Sequence, residues 1–387
     1  MNLCLPYASV FMLALGLSDT RVGFVATVYM LSQMVFAFIG GPVTDKLGRR
    51  MSVVLSDIIA FSVPCLIWWR AVNFWYFLIA AILNGSMKIS HISWNCLLVE
   101  DAGKEQIPHI YSLVIISGQL CAFFAPISSL LVSRLTLIPA VRILYINAFI
   151  LMTAKIIILY IFSRETKIGI QRIQETKGIG ILSLSAGYLG VVKTMLKSKG
   201  TVFSMVLLFL FGVVGMINST FWQVIVSKKL LVPDPLLPLF PIIKSVLSVF
   251  FLFFVMPRIT AERLKLPLLA GFTCFILGQA LLICVPITGA ARYLLLSVSL
   301  IFDGFGFGAL AMLTESLVAM NIDPDERARV FAILHVIVTA ATAPFGWIGG
   351  MLSDISKDLP FILNLCLLAL GMLLTLSYYG KTNEPQR

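Results

Sequence analysis

At 387 residues, 59% hydrophobic and only 12% charged, the chain carries about half the charge of a soluble domain, for which about 25% is usual. That much apolar surface is stable in a bilayer and not in water, which excludes a soluble enzyme or binding module. The net charge of +11 lies in short loops between apolar segments rather than on one face, which excludes a nucleic-acid partner.

In chain order, twelve apolar segments are long enough to cross a hydrocarbon core about 30 Å thick. They are 2–17, 22–43, 51–69, 74–99, 108–133, 139–163, 201–226, 235–257, 266–286, 292–320, 328–351 and 359–379. Each is expected to be a helix, because only a helix satisfies its own backbone inside lipid. The alternating ten-residue stretches of a β-barrel are absent. The first span is short, and with no basic residues before it a cleaved signal peptide is not expected. Seven cysteines without CxxC spacing read as small buried apolar residues, not as disulfides or a zinc site.

Loop charge sets the expected orientation. If the loop after span 2 is cytoplasmic, the inner loops and tail hold 18 Lys and Arg against 8 outside. By the positive-inside rule both termini are then cytoplasmic, in a multi-pass protein of the cell membrane.

The weakly apolar stretch 164–200 separates six spans from six. The sequence therefore divides into a bundle at 1–163, a cytoplasmic linker at 164–200 and a bundle at 201–387. Within the linker, Ile181, Leu182, Tyr188, Leu189, Val192, Met195 and Leu196 fall at helical spacing, as in an amphipathic helix lying on the inner membrane surface. The halves echo each other. "ILNGSMK" (82–88) pairs with "IFDGFGF" (301–307), "FFAPISS" (123–129) with "TAPFGWI" (342–348), and "PVTDKLGRR" weakly with "PRITAERLK". Parallel six-span repeats are a transporter architecture.

Residues 41–50, "GPVTDKLGRR", match G-x-x-x-D-(R/K)-x-G-R-(R/K) at Gly41, Asp45, Lys46, Gly48, Arg49 and Arg50, directly after the second of twelve spans. In this the chain resembles the major facilitator superfamily. The resemblance implies an all-α fold of twelve membrane helices in two pseudo-symmetric six-helix bundles around a central cavity. It implies that residues 41–50 gate the inner side, with Asp45 at a helix N-terminus engaging the start of span 11 near Arg327 and Arg329. Gly41 is expected to let span 2 approach a neighbouring helix. Span 4 has Ala81 where many proton-driven exporters of the family have arginine, and span 5 keeps only Ala125-Pro126 of their glycine-rich signature. Span 11 keeps more of it, as "APFGWIGG".

Charge at the membrane centre costs about 2.5–3.5 kcal/mol on insertion scales, so ionisable residues there mark a pathway or a buried pair. Lys88 and His91 share a face of span 4, Lys244 lies in span 8 and Asp303 in span 10. The family resemblance places those three spans at the cavity. Together with Asn218 and Gln223 on span 7, these residues form the candidate substrate or coupling-ion pathway. Two lysines against one aspartate favour an anionic or polar solute. Asp57 and Lys155, on peripheral spans, read as structural, pairing or snorkelling. Gly304, Gly306, Gly308, Gly346 and Gly350 read as close helix packing, and Pro126 and Pro344 as bends.

No HExxH or P-loop motif is present, so no enzyme activity, metal or cofactor is expected. The sequence reads as a monomeric secondary transporter that moves a small molecule by alternating access, with a coupling proton or ion, and export is preferred. Proton-coupled uptake of a sugar-like or anionic solute is the alternative, and a non-transporting receptor or scaffold is the reading of another class.

Overall fold

The computed structural model describes residues 3–102, 114, 117, 124–180, 199–240, 242, 246, 264–289, 291–320 and 327–382. Among them are helices α1 (Ala8–Ala14), α2 (Asp19–Leu47), α3 (Arg49–Trp69), α4 (Phe74–Asn84), α5 (Met87–Val99), α6 (Ala125–Leu135) and α7 (Leu137–Phe162). After them come α8 (Lys167–Glu175), α9 (Lys199–Lys229), α10 (Lys265–Cys284), α11 (Ala291–Met320), α12 (Arg327–Thr342), α13 (Pro344–Ile355) and α14 (Leu359–Thr382). Eight stretches among the described residues are apolar and long enough to cross a membrane. Their outward faces are apolar too, as at Phe162 (80% exposed) and Leu294 (67% exposed), where water would be a poor solvent and lipid is a good one.

Two compact units divide the chain. Met1–Leu17 with Phe24–Gly190 forms one, and Ser18–Gly23 with Val191–Arg387 the other. In the first, α3 packs on α4, α5 and α7, and Val53, Val54, Ile156 and Leu159 close around Trp94. In the second, α9, α10, α11 and α14 share a core of Phe203, Leu207, Phe272, Phe275, Leu310, Leu313 and Leu368. Gly306 permits the tightest approach there. A Cβ at that position would lie 2.5 Å from the Phe275 backbone nitrogen.

Three local features were not foreseen in the sequence. The span expected at 74–99 is two helices, interrupted at Gly85-Ser86, where the Ser32 hydroxyl donates to the Ile82 carbonyl (2.6 Å) and takes up the end of α4. The linker helix described is α8, upstream of the one expected, and residues 181–198 lie outside the described residues. Cys284 and Cys366, expected to be buried, are exposed on apolar helices. Span 11 does break at its proline, into α12 and α13, as a residue without an N–H requires.

The repeat seen in the sequence reappears as a contact. In α3, a π-turn at Ile58–Ser62 precedes Pro64, which has no N–H to offer the Ala60 carbonyl four residues back. Asn84 Nδ2 donates to that carbonyl instead (2.5 Å). At positions 219 residues further on (279 − 60 and 303 − 84), Gln279 Nε2 donates to Asp303 Oδ1, also at 2.5 Å.

Candidate functional site

The motif at 41–50 begins inside the last turns of α2. Gly40, not Gly41, makes the close approach. A Cβ on Gly40 would meet Ile92 of α5 at 2.6 Å, whereas Gly41 has nothing within 4 Å. The helical phase of α2 turns position 40 towards α5. Gly48 then takes φ +82°, a left-handed conformation that a side chain would strain, and α3 starts at the next residue.

Arg49, 5% exposed, organises the charges. Its Nη1 pairs with Asp45 Oδ1 at 3.0 Å, one helical turn back. On its other side it meets Glu100, Nη2 at 2.9 Å from Oε1 and Nε at 3.0 Å from both oxygens. One guanidinium fork is thus shared between the end of α2 and the residue following α5, a geometry a lysine point charge does not reproduce. Thr166 Oγ1 donates to the second Glu100 oxygen at 2.5 Å.

The residues that lead into span 11, where Asp45 was expected to engage a helix N-terminus, lie outside the described residues; the N-terminus of α3 is capped by Glu165. Its carboxylate accepts from the backbone N–H of Arg49 (2.8 Å) and of Arg50 (3.0 Å), the free donors of the first turn of α3. Glu165 lies two residues before α8, and the segment that follows α8 lies across the motif. Thr176 Oγ1 donates to the Asp45 carbonyl (3.3 Å), and Lys46 Nζ donates to the Ile179 carbonyl (3.1 Å). Arg50 turns away, donating to the Tyr160 carbonyl with its guanidinium 4.5 Å from the Tyr160 ring centre. The side chains of Arg327 and Arg329, expected to meet Asp45, lie outside the described residues.

The membrane-embedded candidates divide. Lys88 is half-buried on α5 and makes no side-chain hydrogen bond or ion pair among the described residues. His91, one turn on, is exposed, and Asn95 Nδ2 donates to its carbonyl at 2.8 Å. Lys244 lies outside the described residues. Asn218 and Asp303 meet on the fully buried Gln279. Its Nε2 donates to Asp303 Oδ1 and to Asn218 Oδ1 (3.2 Å), and its Oε1 accepts from Asn364 Nδ2 (3.0 Å). Four helices, α9, α10, α11 and α14, are joined by this polar chain inside the membrane. Gln223 is half-buried, and its Oε1 has no hydrogen-bond partner among the described residues. In the first unit Asp57 is 1% exposed, held by Lys155 Nζ (2.7 Å) and Ser90 Oγ (2.5 Å), the buried pair of the structural reading.

Sequence reasoning missed Glu100, Glu165, Gln279 and Asn364. Gln279 and Asn364 are polar residues inside apolar spans, a signal that was present. Glu100 and Glu165 sit at span ends, where an acid looks merely solvated.

The sequence profile described as Major Facilitator Superfamily matches residues 1–291. The chain is 29% identical over 84 residues to the quinolone resistance protein NorA of Staphylococcus aureus, a match that spans 22% of this chain and only 21% of that protein. Its backbone superposes on the crystal structure of the nucleoside transporter NupG with a TM-score of 0.72 at 15% identity, covering 99% of this chain and 96% of that one. On the inward-open xylose transporter XylE from E. coli the TM-score is 0.68 at 14% identity, covering 100% and 95%. At these identities the likeness shows a shared fold.

Proposed function

The chain belongs to the Major Facilitator Superfamily of membrane transporters, and from that premise we propose that it moves a small molecule across the cell membrane by alternating access, outwards, with residues 41–50 as the inner gate. The observation that carries the proposal is the Asp45–Arg49–Glu100 cluster. It spends a buried arginine and two acids on joining helix ends, and a receptor or scaffold has no use for such a joint. The cluster sits at the end of α2 that the loop charges assign to the cytoplasm. Outward direction is supported by the NorA match, since a protein named for quinolone resistance fits removal of a solute, and by the glycine-rich remnant in span 11.

Solute contacts are assigned to Lys88 on α5 and Gln223 Oε1 on α9, which have no side-chain hydrogen-bond partner among the described residues, and to neighbouring His91, whose Nδ1 lies 3.4 Å from Asn95 Nδ2. Asn218 and Asp303 already share the Gln279 amide as partner, so they shape and tune the second unit. A second reading, proton-coupled uptake of an anionic or sugar-like solute, is favoured by Lys88, whose ammonium would complement an anion.

The test is a thermal-shift screen of the purified chain against nucleosides, sugars, organic anions, amino acids and lipophilic cations. A ligand at a hundredfold Kd stabilises by about 2.7 kcal/mol. A hit should then be moved by proteoliposomes of the parent and not of Asp45→Asn, which still binds it. A solute bound tightly but moved by neither protein makes the chain a receptor and ends the transport reading.

A further inference from the structure

Span 4 is broken near the middle of the membrane. α4 contributes 11 residues and α5 contributes 13, so at 1.5 Å per residue the break lies roughly 17 Å from one end of the span and 20 Å from the other. Two hydroxyls quench the negative end of α4. Ser32 Oγ donates to the Ile82 carbonyl at 2.6 Å, and Ser86 Oγ to the Leu83 carbonyl at 2.7 Å. The positive end of α5 is left with a cation in its first turn, since Lys88 is half-buried and makes no side-chain hydrogen bond or ion pair among the described residues.

Helical phase says what surrounds that cation. At 100° per residue, Lys88, His91 and Asn95 fall within roughly 60° of one another. Ser93, fully buried against Thr44 of α2, points roughly 140–160° away, so the three share the face of α5 that the first unit covers least. Asp57 does not answer Lys88. It accepts from Ser90, which points roughly 160° from Lys88, and it is already paired with Lys155. Asn95 Nδ2 lies 3.4 Å from His91 Nδ1 and donates to the His91 carbonyl at 2.8 Å. An amide nitrogen only donates, so Nδ1 is the acceptor and the proton of the neutral imidazole sits on Nε2. The face thus offers an ammonium and a ring N–H, both donors. A cation in hydrocarbon costs free energy, and the described fold returns none of it to Lys88.

We infer that Lys88 Nζ and His91 Nε2 bind the carboxylate of an organic acid, which makes the solute a monoanion rather than a neutral sugar or a lipophilic cation, whichever way it moves. Lys88 carries the inference, and the positive end of α5 adds to it, as half-helix N-termini inside membranes do for anionic groups. One ammonium and one N–H match the two oxygens of a carboxylate. A phosphate dianion would keep net negative charge in hydrocarbon. The inference rests on the reading of Lys88 and His91 as solute contacts.

The experiment is thermal unfolding of the full chain in lipid nanodiscs. The probes are benzoate, lactate and indole-3-acetate, each against its uncharged amide, on the parent, Lys88→Met and Lys88→Arg. At least one carboxylate should stabilise the parent while its amide does not. Lys88→Met should need at least about tenfold more of that acid for the same shift, the ratio for one charge-assisted hydrogen bond. Lys88→Arg should stay within about threefold of the parent. Without probe, Lys88→Met should melt no lower than the parent, because it removes a charge that has no partner, so a lost response is not a lost fold. If no carboxylate shifts the parent, if the amides act equally, or if Lys88→Met responds as the parent does, the inference is overturned. Proteoliposomes separate it from the transport reading. A carboxylate bound through Lys88 but not moved keeps the site and ends transport. A neutral or cationic solute moved equally by the parent and Lys88→Met keeps transport and overturns the site.

Discussion

Replacing Lys155 with methionine tests whether the buried acid of the first unit depends on a single cation. Asp57 is 1% exposed and has two side-chain partners, Lys155 Nζ at 2.7 Å and Ser90 Oγ at 2.5 Å. The Lys155 side chain is 44% exposed, but on a helix of this hydropathy the exposed part faces lipid, so water screens the pair little. Methionine keeps the stem that lies against Phe61 and Trp94 and removes only the charge. Asp57 is then left with one hydroxyl donor. Breaking a buried pair by removing one partner costs about 3–5 kcal/mol, and a lone charge in the membrane about 2.5–3.5 kcal/mol. The expected loss is therefore about 3 kcal/mol. Asp57→Asn combined with Lys155→Met should recover all but about 1 kcal/mol, because an amide accepts the Ser90 bond at no charge cost. Reversible unfolding in mixed micelles, run as a double-mutant cycle, reads both numbers. If Lys155→Met alone stays within about 0.5 kcal/mol of the parent, the reasoning fails, since that is the range of substitutions that touch nothing important.

Gly306→Val should prevent α11 from seating on α10, since its Cβ would land 2.5 Å from the Phe275 nitrogen, and the cost is at least about 2 kcal/mol in the same unfolding assay. Gln279→Leu removes a donor from both Asp303 and Asn218 and an acceptor from Asn364, so a loss of about 2–3 kcal/mol is expected, confined to the second unit in hydrogen exchange. Glu165→Ala uncaps α3, at about 1 kcal/mol, and should raise exchange across residues 45–52 while leaving α4 untouched. Wild-type exchange there would show that water caps α3 equally well.

The spans were legible because hydrocarbon thickness fixes their length, and the motif because six residues at set spacing follow the second span directly. What stayed hidden was set by three-dimensional placement. Position 40 or 41 as the contact glycine depends on the phase at which α2 meets α5, to which a regular expression is blind. The break at Gly85 needs the Ser32 hydroxyl, fifty residues away in α2, to take the Ile82 carbonyl. Glu165 and Asp354 are ordinary acids in ordinary loop-edge sequence. Each acts on the N-terminus of a helix more than a hundred residues away in the chain, a distance at which no local pattern survives. The polar chain through Gln279 was half legible. Asn218 and Asp303 stood out as polar residues in apolar spans, but their common partner is defined only once α10 and α11 are packed.

The pairing of Asn84 with Ala60 and of Asp303 with Gln279 bears on how such a chain evolves. Codons for asparagine and aspartate differ in one base, so the buried acid looks free to migrate between the two halves of a duplicated gene. Chemistry blocks that path. An aspartate at 84 would turn an acceptor towards the carbonyl oxygen of Ala60, and an asparagine at 303 would leave the Gln279 donor with a weaker partner. Relocation therefore requires a donor side chain at 60 before the acid appears at 84, since an amide there can first face the asparagine oxygen, as Gln279 faces Asn218. The order of the two changes is thereby constrained at this position, with the amide donor preceding the acid.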